Sequence, residues 1–161
     1  MGTPLHPFFT HFPIALLVVG LAFELLAQIR KQPMFAELSF WMLLGASAGA
    51  ALSVISGGWE ADKLELGQAQ QLLVEQHETA AYIAAWLIAA LFVWKLLRRQ
   101  LMQLGEMRMF LGAYLVTVAI LLYVGWLGGG LVYQQGIGVQ QHTILEDSAR
   151  SEQVQNPTTD Q

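Results

Sequence analysis

Cysteine is absent from the 161 residues. That excludes disulfides, thiolate zinc sites, cysteine-held iron–sulfur clusters and any cysteine nucleophile. Charge is nearly as scarce. Eight basic and twelve acidic residues make up 12 % of the chain, against about a quarter in a typical soluble domain. So few charges cannot solvate a globule of this length, which excludes a disordered chain, a soluble enzyme and a nucleic-acid binder working through a basic patch. Two sets of catalytic signatures are missing as well: no Ser/His/Asp arrangement and no HExxH motif appears. Nor is there the inverted pair of broken helices expected of a transporter. Whether the protein is an enzyme stays open at this level.

What the chain has instead is long apolar runs. Four stand out, at about 12–29, 40–56, 79–97 and 109–133, each near the ~20 residues a helix needs to cross a bilayer. The expected fold is all-α: a polytopic membrane protein with an antiparallel four-helix transmembrane bundle, one domain over 1–142, in contact with the lipid bilayer. Residues 143–161, rich in Gln, Ser, Thr, Pro and Asp, read as a polar, flexible tail. A cleaved leader is not expected, because no Lys or Arg precedes the first run and Glu24 interrupts it.

Six of the eight basic residues gather at one side of this topology. Arg30 and Lys31 lie in the first connection, and Lys95, Arg98, Arg99 and Arg108 flank the third. Lys63 and Arg150 are the two exceptions. By the positive-inside tendency the first and third connections face the cytoplasm, and both termini face outward. All four histidines, His6, His11, His77 and His142, then fall on the outer side. His11 stands in Thr10-His11-Phe12-Pro13, with Pro13 read as belonging to the first helical turn, where it displaces no internal hydrogen bond. His77 is expected at the matching point before the third helix. Two such imidazoles from facing helices are the ligand set for a haem iron, His11 and His77 first, with His6 as a spare ligand or a supporting residue. His142 reads as a solvated tail residue.

Small residues and acids fill in the rest. Gly45, Gly49, Ser53 and Gly57 recur every four positions on the second helix, and Gly125, Gly128, Gly129 and Gly130 cluster on the fourth. The inner pair Gly45–Gly49 is expected to serve close helix packing. The outer glycines are expected to admit a ligand or to end their helices. Glu24 lies within the first helix. It invites a proton-path reading, with snorkelling toward the basic first connection as the nearer one. Glu60, Asp62, Glu75 and Glu78 share the outer side with His77 and could support imidazoles or complete a metal site. Trp59, Tyr123, Trp126 and Tyr133 read as an outer aromatic belt.

The opening Leu5-His6-Pro7-Phe8-Phe9-Thr10-His11-Phe12-Pro13 resembles the HPxxxHFP start of a bacterial membrane family known as domain of unknown function 2231. The close, Gly129-Gly130-Leu131-Val132-Tyr133-Gln134-Gln135-Gly136-Ile137-Gly138-Val139, is similar to its GGxLVYxxGxGV signature. The resemblance extends over nearly the whole chain up to Val139. It implies a four-helix domain in the bacterial inner membrane, in a family found beside cytochrome or Rieske-type redox modules. Relatives often carry histidine where this chain has Gln135, so a ligand at that position is not expected here.

Three functions compete on these grounds. The leading expectation is a small electron-transfer protein with haem b held by His11 and His77, exchanging electrons with quinone or a periplasmic carrier. The second is a non-haem metal site built from His6, His11 and His77 with Glu78 or Glu60. The third is a cofactor-free scaffold subunit, in a homo- or hetero-oligomer, with partners on the glycine stripes.

Overall fold

The computed structural model describes residues 6–62, 66–98 and 102–137. His142, Lys63, Arg99 and the tail read over 143–161 lie outside them. Four helices account for nearly all of the described residues: α1 (His6–Arg30), α2 (Pro33–Ala61), α3 (Gln68–Arg98) and α4 (Leu104–Tyr133). Each contains an 18-residue window of mean hydropathy 1.8 or more, long and apolar enough to cross a bilayer. No strand occurs among the described residues. The protein is an all-α, multi-pass membrane bundle.

All four helices run beyond the apolar stretches that announce them. α2 starts at Pro33, with Gln32 in extended conformation before it, because proline fits a first helical turn that has no N–H bond to lose. α1 and α2 are joined by two residues only, and Lys31 makes the reversal with φ 51°. At the far end Gly136 takes φ 63°. The N–H groups of Gly136 and Ile137 bond back to the carbonyls of Val132 and Leu131, so the glycine of the closing motif is the residue that turns the chain out of α4. Pro13 is a correction. With α1 beginning at His6, Pro13 sits inside the helix rather than in its first turn, and the carbonyl of Phe9 loses its usual donor.

The helices contact in ring order, α1 with α2, α2 with α3, α3 with α4, and α4 with α1. α1 and α3 face each other across the diagonal without close backbone approach, as do α2 and α4. One narrow stripe per helix is buried. It runs through Pro13, Leu17, Gly20, Leu21 and Glu24 on α1, and Ser39, Leu43, Ala46 and Ala50 on α2. On α3 it runs through Ala84, Ile88, Leu91 and Lys95, and on α4 through Phe110, Tyr114, Thr117, Leu121 and Val124. Steps of three and four residues keep such a stripe on one face of a helix packed at a shallow angle. The opposite faces carry large apolar residues outward, among them Trp86, Met109, Trp126 and Ile29. Their partner is lipid, which is as apolar as they are.

Close approach of α1 and α2 rests on the expected glycines. A Cβ at Gly45 would stand 2.9 Å from Leu16 Cδ1, and one at Gly49 3.1 Å from Pro13 Cδ. The tight fit replaces the hydrophobic drive that lipid does not supply.

Candidate functional site

Near one end of the bundle the α1 and α3 stripes each finish in a histidine. His6 is seven residues before Pro13 and His77 seven before Ala84, so both stay on the buried face. Their rings meet across the diagonal, edge to face, with centres 6.3 Å apart and planes at 84°. The other diagonal supplies the room. A Cβ at Gly57 on α2 would lie 2.9 Å from His6 Cε1, and one at Gly128 on α4 would lie 3.0 Å from His77 Cε1. These two glycines seat the protein's own imidazoles and do not end their helices, which continue to Ala61 and Tyr133. Their neighbours Gly58 and Gly129 have nothing within 4 Å of a would-be Cβ.

His6 is held by α2. Its Nδ1 lies 2.9 Å from the Ser53 carbonyl oxygen and its backbone N–H donates to Glu60 Oε1 at 3.0 Å. A carbonyl can only accept, so Nδ1 carries the hydrogen and Nε2 keeps its lone pair. His77 is half-buried. Its Nδ1 is out of water, and the ring lies against the Val124 backbone on α4.

His11, the first choice from sequence, is placed differently. It is exposed, and its Nδ1–H donates to the Pro7 carbonyl one turn back. Counting forward by sevens from His11 gives Val18 and Leu25, exposed at 43 % and 40 %, so His11 is on the lipid-facing side of α1. The structure brings together His6 and His77, with Glu60 supporting His6. Glu78 is half-buried on α3, one residue after His77. Among the described residues no group of three or more His, Asp or Glu side chains is placed to hold a metal ion.

A porphyrin would ask less of these residues than a bare ion. Haem brings four nitrogen donors, so the protein need add only two, whereas zinc or non-haem iron asks three or four of the chain. His6 and His77 are the two rings that come together, and His6 has its Nδ1 already donating to a carbonyl, the arrangement that would orient a ligating ring.

A scan of family models matches residues 2–141 to a family described as predicted membrane protein, DUF2231. The chain belongs to that family. No curated protein and no solved structure matches it. In this chain the first histidine of the opening His6-Pro7-Phe8-Phe9-Thr10-His11-Phe12-Pro13 segment reaches the bundle interior and the second turns outward.

At the opposite end the same stripes carry a second polar layer, which sequence reading missed. Glu24 does not snorkel. It is fully buried and accepts a hydrogen bond from Lys95, itself 2 % exposed, across the α1–α3 diagonal. Lys95, which flanks the third connection in sequence, is inside the bundle, its ammonium 5.4 Å from the Phe110 ring centre. Ser39 and Tyr114 complete the layer from α2 and α4. Beyond it, at the end of α3, Arg98 forks onto Glu106 with two 2.9 Å bonds, and Trp94 Nε1 donates to the same carboxylate at 3.0 Å.

The signal for both layers was in the numbering. His6 and Glu24 are 18 residues apart, and so are His77 and Lys95. Eighteen residues are five helical turns, which returns a side chain to the same face about 27 Å along the axis.

Proposed function

We propose that this DUF2231 protein is a small membrane redox protein that holds one haem b between His6 and His77. The observation that carries the reading is the meeting of these two rings on the bundle axis at 6.3 Å. It differs from the sequence expectation in replacing His11 by His6. Bound there, haem would supply one-electron chemistry, with a potential set by ligand orientation and burial.

The chain's own part is to hold and insulate. Ser53 fixes the His6 ring and its tautomer, Glu60 anchors the start of α1 through the His6 N–H, and Gly57 and Gly128 let both rings approach the axis. Below them the buried apolar residues Leu17, Leu43, Ala46, Ala84 and Ile88 keep water out. Arg30, Lys31, Arg98 and Arg108 all lie at the opposite end, so the positive-inside tendency turns the histidines and both termini to the outside of a bacterial inner membrane. An electron partner, quinone in the outer leaflet or a periplasmic carrier, would approach at that surface.

Two competing readings lose ground. The non-haem set of His6, His11, His77, Glu60 and Glu78 is not gathered at one point. The scaffold reading places partners on the glycine stripes, of which Gly45, Gly49, Gly57 and Gly128 are covered by the chain itself and only outer positions such as Gly58 and Gly129 stay open.

The test is the pigment. Protein expressed with ample haem supply and extracted from membranes should give a b-type reduced-minus-oxidised spectrum at one haem per chain. A colourless preparation under those conditions would overturn the proposal.

A further inference from the structure

The layer of Glu24, Ser39, Lys95 and Tyr114 holds more hydrogen-bonding capacity than its own contacts use. All four residues are at most 2 % exposed. They are on neighbouring levels of the bundle. Gly20 faces Met42 and the Tyr114 hydroxyl, Phe23 stacks on Phe35 with ring centres 6.3 Å apart, and Phe40 meets Phe92. Phe110 bridges the Lys95 ammonium to Tyr114 through ring contacts at 5.4 and 5.8 Å. One carboxylate oxygen, Glu24 Oε2, is taken by Lys95. Glu24 Oε1, Tyr114 Oη and Ser39 Oγ have no partner among the described residues.

These groups define their ligand. The carboxylate oxygen only accepts, the two hydroxyls donate or accept, and the ammonium has hydrogens beyond the one given to Glu24. The Glu24–Lys95 pair is neutral as a whole, so it offers neither a cation nor an anion a net attraction. A small neutral molecule that both donates and accepts satisfies every member, and water is the one always present.

We propose that this layer is an internal water site, with water bridging Glu24 Oε1 to the hydroxyls of Tyr114 and Ser39. Leu17, Leu43, Ala46, Ile88 and Leu121, all buried, close it off from the histidine layer, so water and protons do not cross from one layer to the other. The proposal is independent of what the histidines hold.

Isotope-edited infrared spectroscopy of the full chain in lipid nanodiscs, in ordinary and in oxygen-18 water, reads this site. A narrow oxygen-18-sensitive O–H band of bound water is expected in the native protein and in H6A. It should fall at least two-fold in Y114F and in S39A, with helix content by circular dichroism unchanged; if Y114F does not fold, S39A carries the test. Absence of the band, or its survival in both variants, overturns the water site. In vesicles, proton flux through the native protein should equal that of protein-free membranes. A several-fold higher flux that disappears in E24Q overturns the closure between the layers.

Discussion

At one end of the bundle Glu24 meets Lys95, opposite in sign; at the other, His6 meets His77, two groups of the same kind. Both meetings span the α1–α3 diagonal, and in both the other diagonal adapts. α2 and α4 give hydroxyls, Ser39 and Tyr114, to the charged pair, and they give bare backbone at Gly57 and Gly128 to the imidazoles. The contrast separates structure from ligand binding. A cation and an anion complete each other inside lipid, where an unpaired charge is expensive. Two neutral imidazoles have no opposite charges to cancel, and with its Nδ1 bonded to the Ser53 carbonyl His6 keeps an Nε2 lone pair that the proposed haem would take up.

The comparison breaks first, and hardest, at Lys95. K95M should leave Glu24 charged and buried without a partner and destabilise the bundle by about 3–5 kcal/mol. Adding E24Q to K95M should return most of that, since both charges are then gone; unfolding in mixed micelles at fixed lipid content checks it. A double variant no more stable than K95M would mean that the pair does not act as a unit.

Next come the two glycine seats. G57A and G128A put a methyl group 2.9 and 3.0 Å from a histidine ring edge and should each cost about 1–3 kcal/mol by overpacking, or shift the ring and weaken haem binding. At the charged end G20A drives a methyl into the Tyr114 hydroxyl, and the same stability assay should show a comparable loss with haem content unchanged. If G57A and G20A affect haem equally, the two layers are not separate. The smallest effect is expected at the Arg98–Glu106 pair. Arg98 is half-exposed there, so R98A should change thermal stability least of all these variants, and what change there is should shrink as salt is raised.

The sequence made the bundle readable through its apolar runs, because lipid demands about twenty apolar residues per crossing. It hid the helix ends. Gln68–Glu78 on α3 is polar yet helical, and composition tuned to lipid says nothing about a helix outside it. The outward place of His11 was hidden for a similar reason. Pro13 drew attention to its neighbour as a helix start, whereas stepping back by seven from Leu17 and Gly20 leads to Thr10 and Pro13, then to His6. Stepping forward from Leu17 by seven leads to Glu24, and from Ile88 to Lys95. Two isolated charges near basic loops look like snorkelling side chains when read one at a time. Only the pairing of α1 with α3 across the diagonal, which no single-helix pattern contains, makes them partners.

The most direct test of the account compares the two histidines of the opening motif in one visible spectrum. H6A, H11A and H77A, expressed with ample haem and brought to equal protein concentration, should differ sharply. H11A should keep the b-type spectrum of the native protein, while H6A and H77A should lose it. A spectrum that survives H6A and vanishes in H11A would contradict the account and return the site to the lipid-facing side of α1.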